Sequence, residues 1–259
     1  MSVAELILTR KAANKPTLIG YFPAGFPTVE ESVEACLALC ENGVDILELG
    51  IPYSDPVMDG LVIQQATEIS LRNGFRLKMV PEIVSQIRAR VDTPILVMSY
   101  WNPVMQYGVS QLAEDIRNAG AQGLITPDLI PDEATEWLSE SDQLGLDRVF
   151  MATPSSSPSR LAQAANLSKG FVYGVSTMGI TGTREDLDAN ARAVVSGIRA
   201  SGSKTPICVG IGISNSAQVA EVLTYADGAI VGSAIINAYT RSGLSGMVDF
   251  VRELKSGAQ

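Results

Sequence analysis

Short apolar runs alternate with longer segments of helical periodicity along the chain. Runs dense in Ile, Leu and Val are typical of parallel strands that are covered on both faces. Segments in which apolar residues recur every three or four positions predict helices that cover such a sheet. The eight runs that predict strands are Thr17–Phe22, Val44–Leu49, Pro94–Tyr100, Gln122–Thr126, Asp147–Met151, Gly170–Val175, Pro206–Gly210 and Asp227–Gly232.

Helical segments lie between these strands. The clearest one begins at Thr28 and Glu31, which have the spacing of a capping box, and ends at Asn42-Gly43. The second and third strands start 50 residues apart, so residues 53–80 are expected to hold an additional loop and helix. The other predicted helices are Pro81–Arg90, Gln111–Ala119, Asp132–Leu144, Pro158–Leu167, Glu185–Ala200, Ser214–Leu223 and Ser245–Leu254.

The number of strand–helix units indicates the fold class. Eight units that close on themselves form a TIM barrel, and an open doubly wound sheet is the alternative. No Pro-rich or Ser-rich linker divides the chain. We therefore expect residues 1–259 to form a single (βα)8 TIM-barrel catalytic domain of the α/β class, with an extra helical insertion after strand 2.

Composition narrows the classes of ligand. The chain is 46% hydrophobic and 18% charged, which supports a large core and argues against disorder. Its 19 Lys and Arg against 28 Asp and Glu give a net charge of −9. This balance argues against binding to nucleic acid or to an anionic membrane, both of which favour a basic face. A small anionic ligand is still compatible, since a few backbone amides can bind one phosphate.

The sequence contains no histidine, which excludes an imidazole base and argues against a transition-metal site. Cys36, Cys40 and Cys208 are expected to be reduced core residues. We expect no signal peptide and no membrane span, because no basic segment with a long apolar run and no stretch of ~20 apolar residues is present. These features together predict a cytoplasmic protein.

Two acidic residues are candidates for catalysis, because chemistry in TIM barrels lies at the carboxyl ends of the strands. Alternation along the second strand directs Glu48 into the barrel and Leu47 and Leu49 toward the helices. A carboxyl in an apolar cup has a raised pKa and exchanges a proton near neutrality, although an ion pair with Arg or Lys is the alternative. Asp59 lies in the following loop, where a turn role is the alternative. Two carboxyls at one strand end favour acid–base chemistry.

Glycines follow the last three predicted strands. Gly182 lies after the sixth strand, Gly212 after the seventh, and Gly232 with Ser233 after the eighth. In phosphate-binding barrels the N–H groups of such loops, together with a helix N-terminus, bind the phosphate. Glycine lets the backbone approach closely. One glycine alone is typical of many strand ends, but three at neighbouring strands predict a phosphate site.

These residues carry a resemblance to the tryptophan synthase α subunit family. The most specific motif is LELGIPYSDPVMDG over residues 47–60. Less specific motifs extend the resemblance along almost the whole chain: GYFPAG (20–25), YWNP (100–103), TPDL (126–129), YGVS (173–176), GITG (179–182), GIGIS (210–214) and VGSA (231–234).

The resemblance implies a retro-aldol reaction that splits indole-3-glycerol phosphate into indole and D-glyceraldehyde 3-phosphate, with no cofactor in this chain. It assigns proton exchange to Glu48 and acceptance of the indole N–H to Asp59, with the substrate phosphate on the glycine loops. The family works with a β subunit that carries pyridoxal phosphate and joins indole to serine. An α2β2 heterotetramer of L-tryptophan biosynthesis is therefore expected.

Further residues are expected to line a slot for indole, with ordinary filling of the barrel as the alternative. They are Tyr21, Met98, Tyr100, Pro127, Met151, Tyr173 and Thr181. Two of them depart from the commoner family pattern, since Tyr21 stands where Phe is common and Pro127 replaces a smaller residue. Phe26 and Met58 also depart, and they are expected to affect loop dynamics and inhibitor preference more than the reaction.

Two loops, Tyr53–Gly60 and Thr177–Asp188, are expected to close over the site when the β subunit docks. A stand-alone lyase that releases indole, or another phosphosugar barrel enzyme, is one alternative function. A non-catalytic activator that only binds its partner is another. The presence of Glu48, Asp59 and the phosphate glycines argues against the activator.

Overall fold

The computed structural model describes residues 2–175, 184–210 and 212–257, with the backbone alone for residues 184–187. The strands of this part form one parallel sheet in the order β5-β4-β3-β2-β1-β9-β8-β7-β6. They are β1 Leu18–Pro23, β2 Ile46–Gly50, β3 Ile95–Met98, β4 Gly123–Ile125, β5 Asp147–Val149, β6 Met151–Ala152, β7 Val172–Val175, β8 Ile207–Gly210 and β9 Gly228–Val231.

The sheet closes where one predicted strand is divided. β5 and β6 lie at the two ends of the pairing order, and Phe150 alone separates them in the chain. The Phe150 side chain is fully buried, and its carbonyl accepts the N–H of Tyr173 at 3.1 Å. The predicted strand Asp147–Met151 is therefore present as two short pieces. In this form the expected TIM barrel is confirmed.

Helices cover the outside of the barrel and one of its ends. Those that the structure describes are α1 Val3–Ala12, α2 Val29–Glu41, α3 Leu61–Arg72, α4 Val80–Arg88, α5 Trp101–Tyr107, α6 Val109–Ala119, α7 Thr135–Leu144, α8 Pro158–Leu167, α9 Arg184–Ala200, α10 Ser216–Leu223 and α11 Ser233–Gly257. The helix expected in the insertion is α3. Helices α1 and α5 are additions to the sequence prediction. So is the first part of α11, because non-helical backbone at Gly243 divides α11 just before the predicted helix that starts at Ser245. Among these helices, none is both long and apolar enough to cross a membrane.

Alternating side chains divide the core into two layers. The outer layer lies between strands and helices and includes Leu47 and Leu49 of β2. This confirms the predicted inward direction of Glu48, which lies between them in the chain. The inner layer takes one residue from each predicted strand: Ile19, Ile46, Leu96, Ile125, Val149, Phe171, Cys208 and Ile230.

Helix α1 closes the amino-terminal end of the barrel. Its residues Val3 and Ile7 are fully buried and belong to the inner layer. Carboxylates at the starts of strands hold the helix: Asp147 accepts the N–H of Val3 at 3.0 Å, and Asp227 pairs with Lys11 at 2.5 Å. Because apolar side chains fill this end, a ligand must meet its polar partners at the opposite end, where the strands terminate.

Candidate active site

Glu48 lies inside the barrel near the carboxyl end of β2. Its Cα is in register with Tyr21 of β1 and Leu96 of β3, and its side chain is 1% exposed. Among the residues that the structure describes, none hydrogen-bonds to Glu48 Oε1. Burial raises the pKa of this carboxyl from 4.5 to about 8, because an apolar environment disfavours the charged form. Burial is the only cause of this shift, and no Lys or Arg side chain in the described part of the chain forms an ion pair with Glu48.

Asp59 lies in the loop after β2, half-buried. Its own N–H donates to the carbonyl of Pro56 at 3.1 Å, and its carbonyl accepts the side-chain amide of Gln64 at 2.8 Å. Burial raises the pKa of the Asp59 carboxyl to about 6, and a hydrogen bond from the Tyr100 hydroxyl opposes this rise. The turn expected at Asp59 is therefore present, and it holds a carboxyl with a perturbed pKa.

The Tyr100 hydroxyl links two loops at this end of the barrel. It accepts the backbone N–H of Met58 at 2.8 Å and hydrogen-bonds to the Asp59 carboxylate. The Tyr100 ring packs against that of Tyr53, with 5.3 Å between the ring centroids. Sequence reasoning expected Tyr100 only as a wall of the indole slot. Its role as an anchor of the Asp59 loop has no local sequence signal, because the partners are about forty residues apart in the chain.

Two further tyrosines share this end of the lumen with the carboxyls. Burial raises the pKa of Tyr21 well above its ordinary value, and the charges of Asp59 and Glu48 add to the rise. Burial likewise raises the pKa of Tyr173, with added contributions from Glu48 and Asp59. Both phenols therefore keep their protons at neutral pH. The mutual influence of these four groups indicates that they lie around one space.

The predicted phosphate residues lie at the ends of two paired strands. β8 and β9 are neighbours in the sheet, so Gly212 after β8 and Gly232 after β9 lie at the same edge. Gly212 has a φ of 67°, a conformation that glycine adopts without strain. Ser233 is the first residue of α11, whose free N–H groups are directed toward the carboxyl end of the barrel. Gly182 lies outside the described residues.

The expected indole slot is partly described. Met98, Met151 and Tyr173 are partly buried and pack on the inner layer of the barrel. Pro127 is buried two residues after the end of β4, and Thr181 lies outside the described residues. In the described part of the chain, no group of three or more His, Cys, Asp or Glu side chains could hold a metal ion.

This arrangement is typical of a barrel enzyme that performs acid–base chemistry on a phosphorylated substrate, since carboxyls and glycine loops converge where the strands end. A family model described as "Tryptophan synthase alpha chain" matches residues 7–255. The chain belongs to the tryptophan synthase alpha chain family. Members of this family are lyases of tryptophan biosynthesis that cleave indole-3-glycerol phosphate.

Individual relatives agree along the whole chain. A tryptophan synthase alpha chain of Leifsonia xyli subsp. xyli is 58% identical over 256 residues, which are 99% of this chain and 98% of that protein. The structure of Mycobacterium tuberculosis tryptophan synthase superposes with a TM-score of 0.93 at 46% identity, covering 99% of this chain and 97% of that one. Tryptophan synthase subunit alpha from Legionella pneumophila gives a TM-score of 0.90 at 32% identity, covering 100% and 98%.

The hydrogen bond between the Tyr100 hydroxyl and the Asp59 carboxyl can be tested by removing the hydroxyl. Because its hydrogen bond lowers the pKa of Asp59, we expect Tyr100→Phe to raise that pKa by about one unit. The measurement is an NMR titration of the Asp59 carboxyl between pH 4 and pH 8. Tyr107→Phe is the matched control, since it removes a hydroxyl that donates to Asp115 at 2.6 Å. An equal shift of the Asp59 pKa in both variants would contradict the assignment.

Proposed function

We propose that this chain cleaves indole-3-glycerol phosphate with Glu48 as the proton-exchanging group. The observation that carries the proposal is the buried Glu48 carboxyl, whose pKa is raised to about 8 and whose Oε1 has no partner among the described residues. A carboxyl that is still protonated near neutrality acts as a general acid toward a substrate in the lumen.

Glu48 serves both proton transfers. It first donates its proton to carbon 3 of the indole ring, which removes the aromaticity of the pyrrole and gives an indoleninium. The carboxylate that remains then takes the proton of the hydroxyl on the adjacent carbon. The carbon–carbon bond breaks, its electron pair restores the aromatic ring, and the oxygen becomes the aldehyde of glyceraldehyde 3-phosphate. Glu48 ends protonated, so no proton is gained or lost in a turnover.

Asp59 supports this reaction as a carboxylate. With a pKa of about 6 it is ionised at neutral pH, and it accepts the indole N–H while positive charge develops on the ring. Activity therefore requires pH values above about 6, where Asp59 is charged, and below about 8, where Glu48 keeps its proton. Below or above that window one of the two groups has the wrong protonation state.

The remaining predicted site residues bind the two ends of the substrate. Gly212, Gly232 and Ser233, with Gly182, would hold the phosphate through backbone N–H groups. Tyr21, Met98, Tyr100, Pro127, Met151, Tyr173 and Thr181 would surround the indole and the carbon chain. The cleavage needs no cofactor in this chain. We further propose that residues 1–259 form one catalytic domain and that it acts in the cytoplasm.

Glu48→Gln separates the catalytic role from a structural one. We expect cleavage to fall by ~10²–10⁴-fold, because an amide cannot exchange the proton. The same change should raise the free energy of unfolding by about 1–3 kcal/mol at pH 8, since the folded protein no longer buries a carboxyl that favours ionisation. This gain in the free energy of unfolding should be absent at pH 4.5 and grow up to pH 8. The reason is that the raised pKa of Glu48 makes the stability of the unchanged protein fall between these two pH values. Indole release and urea unfolding are the measurements.

The control for this test is Glu114→Gln, which changes an exposed glutamate of α6. It should leave both cleavage and stability unchanged. Near-normal cleavage by Glu48→Gln, with the fold retained, would remove Glu48 from the mechanism.

Asp59→Asn should also reduce cleavage while the affinity for inorganic phosphate is retained.

The phosphate site is tested best at Gly232. A methyl group there would lie 3.4 Å from the Tyr21 Cβ, which is ordinary contact, so Gly232→Ala should fold normally. It should raise the KM for the substrate by about tenfold, because the methyl group blocks close approach of the phosphate to the backbone. Gly212 is less suitable, since its φ of 67° makes any side chain strained. A parallel loss of thermal stability and affinity in Gly232→Ala would favour a purely structural role.

We also propose that a tryptophan synthase β subunit, which carries pyridoxal phosphate, docks over this end of the barrel in an α2β2 complex. The support is an apolar face: Val57, Leu61, Met105 and Ile130 are 82%, 63%, 52% and 46% exposed. They follow β2, β3 and β4, which are neighbours in the sheet, so they lie on adjacent loops and helices beside Asp59. Exposed apolar side chains grouped in this way are typical of a protein interface.

Docking is expected to activate cleavage. If the partner stabilises the competent arrangement of the loops by ~2–3 kcal/mol, the rate rises by roughly 30- to 150-fold. Met105→Asp and Ile130→Asp should weaken this activation, measured by titrating β subunit while indole release is followed. Leu8→Asp is the matched control, because Leu8 is 47% exposed on α1 at the opposite end of the barrel. A rate that stays flat at saturating β subunit would favour the stand-alone lyase.

A further inference from the structure

The Tyr21 ring is fixed between two strands that carry different parts of the site. β1 pairs with β2 on one side, where Tyr21 is in register with Glu48, and with β9 on the other. The ring lies over Gly50, where a methyl group would come within 2.2 Å of the Tyr21 hydroxyl. On the other side, Gly232 lies against Cβ and the ring. Tyr21 is 6% exposed, so its orientation is set by packing.

The hydroxyl of this fixed ring has no hydrogen-bond partner in the described part of the protein. Among the residues that the structure describes, none forms a hydrogen bond with Tyr21 Oη. The hydroxyl lies against Gly50, the last residue of β2, and so at the carboxyl end of the barrel. The phenol is neutral, as described above, and therefore keeps a proton to donate. A rigid donor at the carboxyl end of the barrel, with no partner among the described residues, is suited to bind a ligand oxygen.

The position of Tyr21 indicates which oxygen this is. Under the proposed function, Glu48 on β2 acts at the carbon bonded to indole, and Gly232 after β9 lies at the phosphate. The carbon chain of the substrate must cross β1 to connect these two points, and Tyr21 is the inward-facing residue there. The hydroxyl nearer the indole gives up its proton to Glu48. The hydroxyl on the middle carbon has no partner assigned by the mechanism.

We propose that Tyr21 donates a hydrogen bond to the hydroxyl on the middle carbon of the substrate's glycerol chain, and so selects substrates that carry this hydroxyl. No proton is transferred and no bond is broken in this contact. Tyr21 is thus a specificity-determining residue rather than an apolar wall for indole. The inference rests on the proposed function, because it uses the orientation of substrate that Glu48 and Gly232 define.

The test deletes the hydroxyl from each partner in turn. Tyr21→Phe keeps the ring and its packing on Gly50 and Gly232. In the Glu48→Gln background, titration calorimetry measures the Kd of indole-3-glycerol phosphate and of indole-3-propanol phosphate, which lacks both chain hydroxyls. We expect Tyr21→Phe to weaken the first ligand about 3- to 10-fold and the second less than about twofold. With active chain and saturating β subunit, KM should rise and kcat should stay within about twofold.

Three outcomes would overturn the proposal. Equal weakening of both ligands would mean that Tyr21 acts by packing, and unchanged affinity for both would mean that the hydroxyl meets no ligand oxygen. A fall in kcat at constant KM would mean that Tyr21 acts in the chemical step. Tyr107→Phe controls for loss of a phenol elsewhere and should change neither Kd. Indole release by the Glu48→Gln background would instead reveal failure of the proposed function, independently of Tyr21.

Discussion

Burial of one carboxyl group that has no partner in the described part of the chain is the constraint on which the site depends. An ionised Glu48 would lose its hydration inside the barrel and gain no compensating charge or hydrogen bond among the described residues, so it holds its proton near neutrality. The apolar inner layer and helix α1 keep the Glu48 carboxyl dehydrated, because they exclude water from the amino-terminal end of the barrel. A lysine or arginine beside Glu48 would stabilise the carboxylate, but the group would then have no proton to donate to the indole ring.

The parts of the site that depend on local pattern could be predicted from the sequence. Alternation along β2 places Glu48 inside and Leu47 outside, since the side-chain period of a strand is fixed. The environment of Asp59 could not be predicted, because it depends on Tyr100, which no periodicity connects to it. Helix α1 was also beyond prediction: of its 10 residues only Val3 and Ile7 are buried, so no apolar stripe marks it. Its attachment comes from Asp147, 144 residues away from Val3.

Closure of the barrel brings an early and a late strand of the chain together at the proposed substrate site. β1 pairs with β9, so an early strand carrying Tyr21 lies beside the late strand that ends at Gly232. Three adjacent strands, β9, β1 and β2, thereby span the phosphate, the carbon chain and the reacting carbon of the proposed substrate pose. At the opposite end of the barrel, carboxylates at the starts of strands hold α1, which separates the residues that stabilise the barrel from those that act on a ligand.

Tyrosine rings cover glycines at two strand ends, so the residue allowed at each glycine position depends on a tyrosine that is distant in the chain. Any side chain at Gly50 would overlap the Tyr21 hydroxyl, and one at Gly210 would come within 2.6 Å of the Tyr173 hydroxyl. Each ring occupies the volume that its glycine leaves empty, so the glycine cannot gain a side chain while the ring is present. A lineage that acquires alanine at position 50 must first shorten residue 21. A neighbouring ring thus excludes side chains at these two positions, a reason unrelated to backbone conformation or to phosphate.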